Sequence, residues 1–461
     1  MKNTARAGQP GDFLTGPILP SLIRFSLPLM LSLLLQAFYG GVDLAVVGRY
    51  SPTASVAAVA TGSQLMQSVT ALITGLTMGV TVLVGKAVGA DDPEQAGRTV
   101  AGQIRLFAVV AALLTGLMVL FAPQIAGLLN VPDAAMPEAV RYIRICSAGI
   151  VFIAAYNGIS GIFRGIGNSK SPFLFVFIAC LVNVVLDLLL VGALGLDASG
   201  AALATILAQA VSVVFSLLYI RHKPLPFSVF GQWKHSRRSI AMILKIGSPI
   251  ALQDFLTNIS FLIITAIINT LGVVASAGVG ISEKLFVFLS IVPMTFMSAL
   301  AAFVAQNMGG GKPERANRAL VLAQRISMCC GGIMFLLTFF AGGTLASLFD
   351  NDPEVLTATA QYLKGSAFEY LIIPLTFCFL GYFNGLEHTA FVMAQGLFTS
   401  FMVRIPLSYV LSRLPGTGML LISLAVPVSS LCNLLLCSLY FLWLRRKSRM
   451  PHSTGAEPDS L

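Results

Sequence analysis

Long apolar stretches alternate with short polar segments along almost the whole chain. A helix needs about 20 predominantly apolar residues to cross a bilayer, and runs of that kind recur from residues 18–47 and 66–88 to a last run that ends at Leu444. The hydropathy pattern predicts about twelve such helices, six in each half of the chain. No polar stretch is long enough for a separate soluble domain. We therefore expect an all-α integral membrane protein.

The chain also contains an internal repeat. The segment VGKAVGADDPEQAGR (residues 84–98) returns 220 positions later as VAQNMGGGKPERANR (residues 304–318), with six of fifteen positions identical. The same register aligns further pairs along both halves: Tyr142/Tyr362, Gly161/Gly381, Phe163/Phe383, Gly165/Gly385 and, after one extra residue, Pro28/Pro249. Self-similarity at a fixed offset indicates a duplicated structural unit.

Each half carries an even number of predicted spans, so both copies enter the membrane from the same side. We expect two six-helix bundles related by a pseudo-two-fold axis along the membrane normal. The predicted organisation is a cytoplasmic N-terminal tail (residues 1–13), a first bundle (14–220), a basic cytoplasmic linker (221–238), a second bundle (239–445) and a cytoplasmic C-terminal tail (446–461).

Composition and charge agree with this picture. The mean hydropathy is +0.85 and 10% of the residues are charged, against about 25% in soluble domains. The net charge of +10 does not indicate nucleic-acid binding, because most lysines and arginines fall on one side of the twelve predicted spans. That bias is the positive-inside signature. It predicts a multi-pass membrane protein with both termini cytoplasmic. The N-terminal sequence leads directly into a long span without a small-residue cleavage site, so we expect no removable signal peptide.

The residues give no indication of an enzyme. We find no Ser/His/Asp or zinc-binding arrangement, and the seven cysteines lie in apolar runs without CxxC spacing. Such cysteines are typical of small buried side chains. We therefore expect no cofactor.

Acidic residues within the predicted spans are the candidate functional residues. Of the nineteen acidic residues, five lie well inside predicted spans: Asp43, Asp187, Asp254, Glu283 and Glu369. A carboxylate at mid-membrane costs roughly 2.5–3.5 kcal/mol, so each requires a partner or a function. In the first half, the spans that carry Asp43 and Asp187 offer neutral polar side chains rather than a lysine or arginine: Gln36, Tyr39, Asn157, Asn183, Thr205 and Gln209.

Two carboxylates with amide and hydroxyl oxygens suit Na⁺, and we expect such a site at Asp43, Asn183, Asp187 and Thr205. They could equally hold a proton, because burial and mutual repulsion disfavour two charged carboxylates. Structural hydrogen bonding between helices is the competing interpretation, above all for Thr205 and Gln209.

The second half offers further cavity or substrate candidates. They are Gln253, Asp254, Asn258, Glu283 and Glu369. Glu283 stands beside Lys284, so the two charges could neutralise each other or lie near a polar cavity.

The chain resembles the multidrug and toxic compound extrusion (MATE) family. The likeness rests on the duplicated twelve-span plan, the sequence PLMLSLLLQAFYGGVDLAVVG from residue 28, and the two repeated loops. It implies a secondary antiporter of the inner membrane of a prokaryote that exports organic cations or amphipathic compounds in exchange for H⁺ or Na⁺, by rocking of two bundles.

Within that family, the set Asp43, Asn157, Asn183, Asp187 and Thr205 is similar to the cation site of the DinF-type branch. The NorM-type branch places its coupling acids in the second half instead. Here Glu369 lies about one turn from the corresponding position, and Glu283 is a loose counterpart.

Two other functions compete with antiport. A flippase for a lipid-linked saccharide or phospholipid shares the two-bundle plan but should line its cavity with Arg and Lys to hold phosphates. A non-transporting scaffold or receptor does not require buried acids on several helices. We expect small-molecule substrates and membrane lipid as the partners, no nucleic acid, and a functional monomer.

Overall fold

The computed structural model describes residues 13–229, 231–233, 236–414 and 418–449, and the regular secondary structure of these residues is helical. The helices of the first half are α1 (Ile18–Tyr50), α2 (Thr53–Gly89), α3 (Pro93–Leu120), α4 (Ala122–Leu128), α5 (Met136–Ala148), α6 (Ile150–Ile166), α7 (Lys170–Asp187) and α8 (Asp197–His222). Those of the second half are α9 (Arg237–Asn269), α10 (Val273–Leu289), α11 (Ile291–Gly309), α12 (Pro313–Ala346), α13 (Pro353–Ser366), α14 (Glu369–Gly385), α15 (Thr389–Leu397), α16 (Ile405–Arg413), α17 (Met419–Ser423) and α18 (Ala425–Arg449). The predicted all-α membrane class is confirmed.

By length and composition, the described residues contain up to twelve helical segments that can cross a membrane, when each bent pair is counted as one. Ten of these, some made of helices joined end to end, are long and apolar enough without a sharp bend. Two further crossings are broken: α5 and α6 meet at 46°, and α13 and α14 meet at 50°. The bent segments begin at Asp133 and Pro353, which are 220 residues apart, so the bend is a shared feature of the repeat.

The repeated loop marks the ends of helices. α2 ends at Gly89 and α3 begins at Pro93, whereas α11 ends at Gly309 and α12 begins at Pro313. Proline suits the first helical position because its missing N–H would have no partner there. We call the side of the molecule that carries these two loops the basic side; the charge pattern predicts that it is cytoplasmic.

The two halves cross at the glycines of this repeat. A Cβ atom on Gly89 would lie 2.0 Å from the carbonyl oxygen of Gln306, and one on Gly309 would lie 2.0 Å from the carbonyl oxygen of Lys86. Gly89 and Gly309 are equivalent in the repeat, as are Lys86 and Gln306. The crossing of α2 and α11 is therefore reciprocal, as a pseudo-two-fold axis requires.

Helix α2 also packs closely against α9. A Cβ on Gly75 would lie 2.5 Å from the backbone of Ala251, and one on Gly79 would lie 3.0 Å from the nitrogen of Gly247. These contacts occupy the half of α2 that ends on the basic side. The halves are thus closed against each other on that side.

Two polar contacts reinforce the closure. Lys86 Nζ lies 2.6 Å from Glu387 Oε1 in the loop after α14. Gln306 Nε2 donates to the carbonyl of Gly165, 2.6 Å away near the end of α6. Each contact runs from one half to the other, and the repeat relates their first members.

The segment before α1 belongs to the packed structure. Phe13 is 1% exposed, and its carbonyl accepts hydrogen bonds from Asn307 Nδ2 at 3.1 Å and Arg315 Nε at 2.9 Å. Lys312 Nζ donates to the carbonyl of Leu14 at 3.0 Å. Phe13, the last residue of the predicted N-terminal tail, therefore packs against the second half, where its ring contacts Phe303.

The linker before α9 makes the corresponding contacts with the first half. Arg98 Nε donates to Gln232 Oε1 at 3.4 Å, and Arg105 Nη1 donates to Ser236 Oγ at 2.9 Å. The predicted domain limits otherwise stay predictions. Residues 1–12, 230, 234, 235, 415–417 and 450–461, which include most of both predicted tails and part of the linker, lie outside the described residues. Helices α8 and α18 continue a few residues beyond the predicted limits of their bundles, into basic sequence that suits the C-terminal end of a helix.

Candidate functional site

A buried pair of carboxylates lies inside the first half. Asp43 on α1 is 4% exposed, and Asp187 at the end of α7 is fully buried. Asn183 lies one turn before Asp187 and is also fully buried. The carboxyl group of Asp43 faces Asp187, Asn183 and Thr205. Four residues that the sequence placed together, from three helices, therefore meet at one point.

Most polar atoms of this cluster have no hydrogen-bond partner. Thr205 Oγ1 lies 3.2 Å from Asp43 Oδ2 and can donate to it, although the carbonyl of Ala201 competes at 3.0 Å. Asp43 Oδ1, both carboxylate oxygens of Asp187 and both amide atoms of Asn183 are buried without a partner. Buried polar atoms are normally satisfied, so this concentration of free oxygens indicates a ligand site.

No positive side chain offsets the two acids. Within the described ranges, no lysine or arginine nitrogen lies within 4.0 Å of Asp43 or Asp187. The oxygens can bind a monovalent cation such as Na⁺, or the two carboxyl groups can share a proton. Either would remove the cost of burying two uncompensated charges.

The other first-half candidates divide by position. The Tyr39 hydroxyl faces Thr205, and Oε1 of Gln209 is buried without a partner. Gln36, one turn before Tyr39, is exposed. Tyr39 thus borders the acid pair, whereas the places of Gln36 and Gln209 in a substrate path stay predictions.

Asn157 makes its hydrogen bonds away from the pair. Its Oδ1 accepts from Thr74 Oγ1 at 3.4 Å, and its Nδ2 donates to the carbonyl of Ile153 at 2.9 Å. The physical reason is that α6, which carries Asn157, packs closely against α2, whereas the acid pair lies between α1 and α7. The Asn157 amide oxygen therefore contacts Thr74, and the part of Asn157 in the cation site stays a prediction.

A stretch of π-helix follows Asp187 directly. It covers Leu188–Ala193, and a second π-helical stretch covers Phe398–Arg404 in the corresponding span of the second half. π-Helical turns are rare and occur frequently at functional sites. Sequence reasoning missed both, and the apolar residues around Asp187 contain no signal that would have revealed the first.

The second half contains a small cavity of about 40 Å³, which is large enough for a water molecule. Its wall includes Glu283, Glu369 and Arg404. Arg404 Nη2 lies 3.7 Å from Glu369 Oε1, and Ser430 Oγ donates to the same oxygen at 3.0 Å. The negative charge of Glu369 is therefore compensated by the guanidinium group of Arg404, unlike the charges of Asp43 and Asp187 in the first half.

Glu283 does not form an ion pair with Lys284. Its Oε1 accepts a hydrogen bond from Thr265 Oγ1 at 3.4 Å. The alternative that these neighbours neutralise each other is wrong, because consecutive residues of a helix point about 100° apart.

The remaining second-half candidates lie along α9. Gln253 contacts Gly396, Asn258 Nδ2 donates to the backbone carbonyl of Asp254 at 3.0 Å, and Asp254 is not among the residues that line the cavity. These three residues stay predictions as substrate contacts.

Comparisons with known proteins agree with the fold. The family model described as MatE matches residues 28–189 and 249–410, one match in each half. The "Probable multidrug resistance protein YpnP" of Bacillus subtilis is 29% identical over 447 residues, covering 95% of this chain and 98% of that protein. An "FAD transporter" of Shewanella oneidensis is 26% identical over 436 residues, covering 93% of this chain and 95% of that protein.

Solved structures show the same architecture. A transporter of the MOP superfamily from Pyrococcus furiosus superposes with a TM-score of 0.88 at 20% identity, covering 96% of this chain and 98% of that one. The outward-facing conformation of a multidrug resistance MATE transporter gives the same TM-score, identity and coverage. The predicted two-bundle fold is confirmed. The matched half-chains together span most of the sequence, so the chain belongs to the MatE family of multidrug and toxic compound extrusion transporters.

Proposed function

We propose that this transporter exports small amphipathic compounds by antiport against H⁺ or Na⁺, and that Asp43 and Asp187 bind the coupling cation. One observation carries the proposal. Five buried polar atoms of Asp43, Asp187 and Asn183 lack partners, and among the residues that the structure describes no lysine or arginine nitrogen lies within 4.0 Å of the two acids. A cation supplies what that site lacks.

Asymmetry between the halves favours the first half as the coupling site. Glu369 already has Arg404 and Ser430 as partners. A cation that entered the Glu369 site would have to compete with the guanidinium group of Arg404. Without a bound cation, the charge of Glu369 is still compensated by Arg404. Asp43 and Asp187 have no such compensation, so their cost of burial falls most when a cation binds.

Transport then requires two states that differ in ion and substrate affinity. In the state described here the halves are closed on the basic side, along α2, α9 and α11. Opening that side must separate the crossing at Gly89 and Gly309, and must break the Lys86–Glu387 ion pair. Ion and substrate are coupled if each favours a different state.

The coupling free energy has to be considerable. Moving a two-state equilibrium from 1:99 to 99:1 needs about 5.5 kcal/mol of differential binding. A cation that binds the Asp43–Asp187 site in one state and leaves it in the other can supply an energy of that order, because each uncompensated buried carboxylate costs roughly 2.5–3.5 kcal/mol.

The remaining parts of the proposal concern the cell. We place the protein in the inner membrane of a prokaryote, with both termini cytoplasmic and with one chain as the functional unit. Relatives carry names as different as multidrug export protein and FAD transporter. The substrate of this chain therefore has to be argued from its own residues.

The test uses purified protein in proteoliposomes loaded with a small amphipathic dye, either the cation ethidium or the anion carboxyfluorescein, with a pH gradient and a Na⁺ gradient imposed separately. We expect dye transport in the wild type to follow one gradient, and to be lost in Asp43→Asn and in Asp187→Asn. Asp133→Asn removes an exposed acid at the very start of a bent segment, on a different helix from the acid pair, and should transport normally. Gradient-driven transport that survives in both site variants would refute the assignment, and transport of lipid-linked substrates alone would favour the flippase.

A further inference from the structure

Lys284 is a positive charge within a span. It is the twelfth residue of α10, and α10 and α11 together form one span of 37 residues, Val273–Gly309. Lys284 therefore lies in the half of this span that is away from the basic side, and it is exposed on the protein surface. A lysine that faced lipid inside the hydrocarbon core would cost up to roughly 2.5–3.5 kcal/mol, which favours surroundings that contain water.

The helix face that carries Lys284 points toward the first half. Phe288 lies one turn further along the same face, and its ring contacts Phe38 of α1 with centroids 5.9 Å apart. Phe38 and Phe288 belong to different halves. Lys284 therefore borders the cleft between the two bundles, on the side of this aromatic contact that lies away from the closed basic side.

The ammonium group has no carboxylate partner in the described ranges. No aspartate or glutamate oxygen lies within 4.0 Å of Lys284, and the neighbouring Glu283 faces Thr265 instead. The charge is thus free to meet a ligand in the cleft. A charged side chain within a membrane span is costly to retain without a partner or a function.

The aromatic contact adds a second element of recognition. The Phe38 side chain is 55% exposed and that of Phe288 is 38% exposed, so each ring keeps an open face beside Lys284. A flat aromatic ligand can stack on such rings, while an anionic group on the same ligand reaches the ammonium group.

From this geometry we propose that the substrates of this transporter are flat aromatic compounds that carry an anionic group, such as a carboxylate, sulfonate or phosphate, and that Lys284 selects them. The proposal rests on the export function proposed above but concerns the substrate rather than the coupling ion. Lys284 is then a specificity residue that contacts the ligand.

The test compares two dyes with the same xanthene ring system and opposite charge, carboxyfluorescein as the anion and rhodamine 123 as the cation. Binding to the purified wild type is measured by fluorescence anisotropy without any ion gradient. We expect the wild type to prefer carboxyfluorescein. Lys284→Gln should weaken carboxyfluorescein binding roughly tenfold, the loss typical of one charge-assisted hydrogen bond, and leave rhodamine 123 binding unchanged or tighter. Lys284→Glu should reverse the preference.

Two variants control for structure and for general charge. Lys284→Arg keeps the charge and should keep the preference. Lys245→Gln removes an exposed lysine on the face of α9 opposite the contact with α2, and should change neither dye. Equal effects of Lys284→Gln on both dyes, or a wild type that prefers rhodamine 123 or binds neither dye, would overturn the proposal. Because binding is measured without gradients, such a result leaves the assignment of Asp43 and Asp187 to be judged by transport alone.

Discussion

Replacing Gly89 with alanine should drive the transporter out of the state described here. The new Cβ would lie 2.0 Å from the carbonyl oxygen of Gln306, whereas real Cβ atoms essentially never approach within 3.0 Å of another heavy atom. The backbone of α2 or α11 must therefore retreat by at least 3.0 − 2.0 = 1.0 Å. A side chain could rotate away from such a clash, but a carbonyl held in a helix cannot.

The magnitude follows from the cost of overpacking, which is about 1–3 kcal/mol. That cost applies only where α2 and α11 touch, so it disfavours the closed state relative to the open state by about 5-fold to 150-fold. The gain in helix propensity from Gly89→Ala is common to both states. Gly309→Ala should act in the same direction, because the two glycines are reciprocal. The double variant should fall short of additivity, since both residues strain the same crossing.

The assay is a pulsed electron paramagnetic resonance distance measurement on the basic side. Spin labels at positions 94 and 314, which are equivalent exposed positions on opposite halves, report the separation in a background without native cysteines. We expect Gly89→Ala to shift the distribution toward longer distances. Gly116→Ala is the matched control, because nothing lies within 4 Å of a Cβ placed there. If Gly89→Ala and Gly116→Ala give the same distribution as the parent, the crossing does not close this side.

Two further predictions concern ion pairs. Lys86→Ala should raise the population that is open on the basic side only slightly, by at most about 1 kcal/mol, because its partner Glu387 is partly exposed and such ion pairs contribute little. The same spin-label distances measure this shift. A shift as large as that of Gly89→Ala would contradict the reasoning. Arg404→Leu should lower the free energy of unfolding by about 3–5 kcal/mol, because it leaves the Glu369 carboxylate buried without its guanidinium partner. Adding Glu369→Gln to Arg404→Leu should recover most of this loss, as measured by thermal unfolding.

The repeat and the buried acids could be predicted from the sequence, because each has a local signature. Gly89 and Gly309 stand at the same place in two similar loops, and a duplicated unit implies the axis that makes their contact reciprocal. Asp43 and Asp187 stand out because a charge in an apolar run is costly wherever it folds. The neutral polar side chains near these acids could likewise be predicted from the spans that carry them.

Other features depend on tertiary packing and left no such signature. Arg404 and Glu369 are 35 residues apart on separate spans, and only the folded bundle brings them together. The contact of Asn157 with Thr74 depends on which helix α6 packs against, which periodicity alone does not decide. The free ammonium group of Lys284 was hidden because the sequence places Glu283 beside it, whereas the helix turns the two side chains apart.

The most direct test of the central claim is a difference infrared spectrum of the purified protein between acid and alkaline pH, followed by addition of Na⁺ at constant pH. We expect a carbonyl band from a protonated buried carboxyl group that disappears at alkaline pH in the wild type and is missing from Asp43→Asn. If Na⁺ competes for the site, adding Na⁺ should remove the band without a change of pH; if H⁺ alone is coupled, the band should be insensitive to Na⁺. A spectrum that responds to neither ion, or that is unchanged in both Asp43→Asn and Asp187→Asn, would show that this pair does not bind the coupling cation.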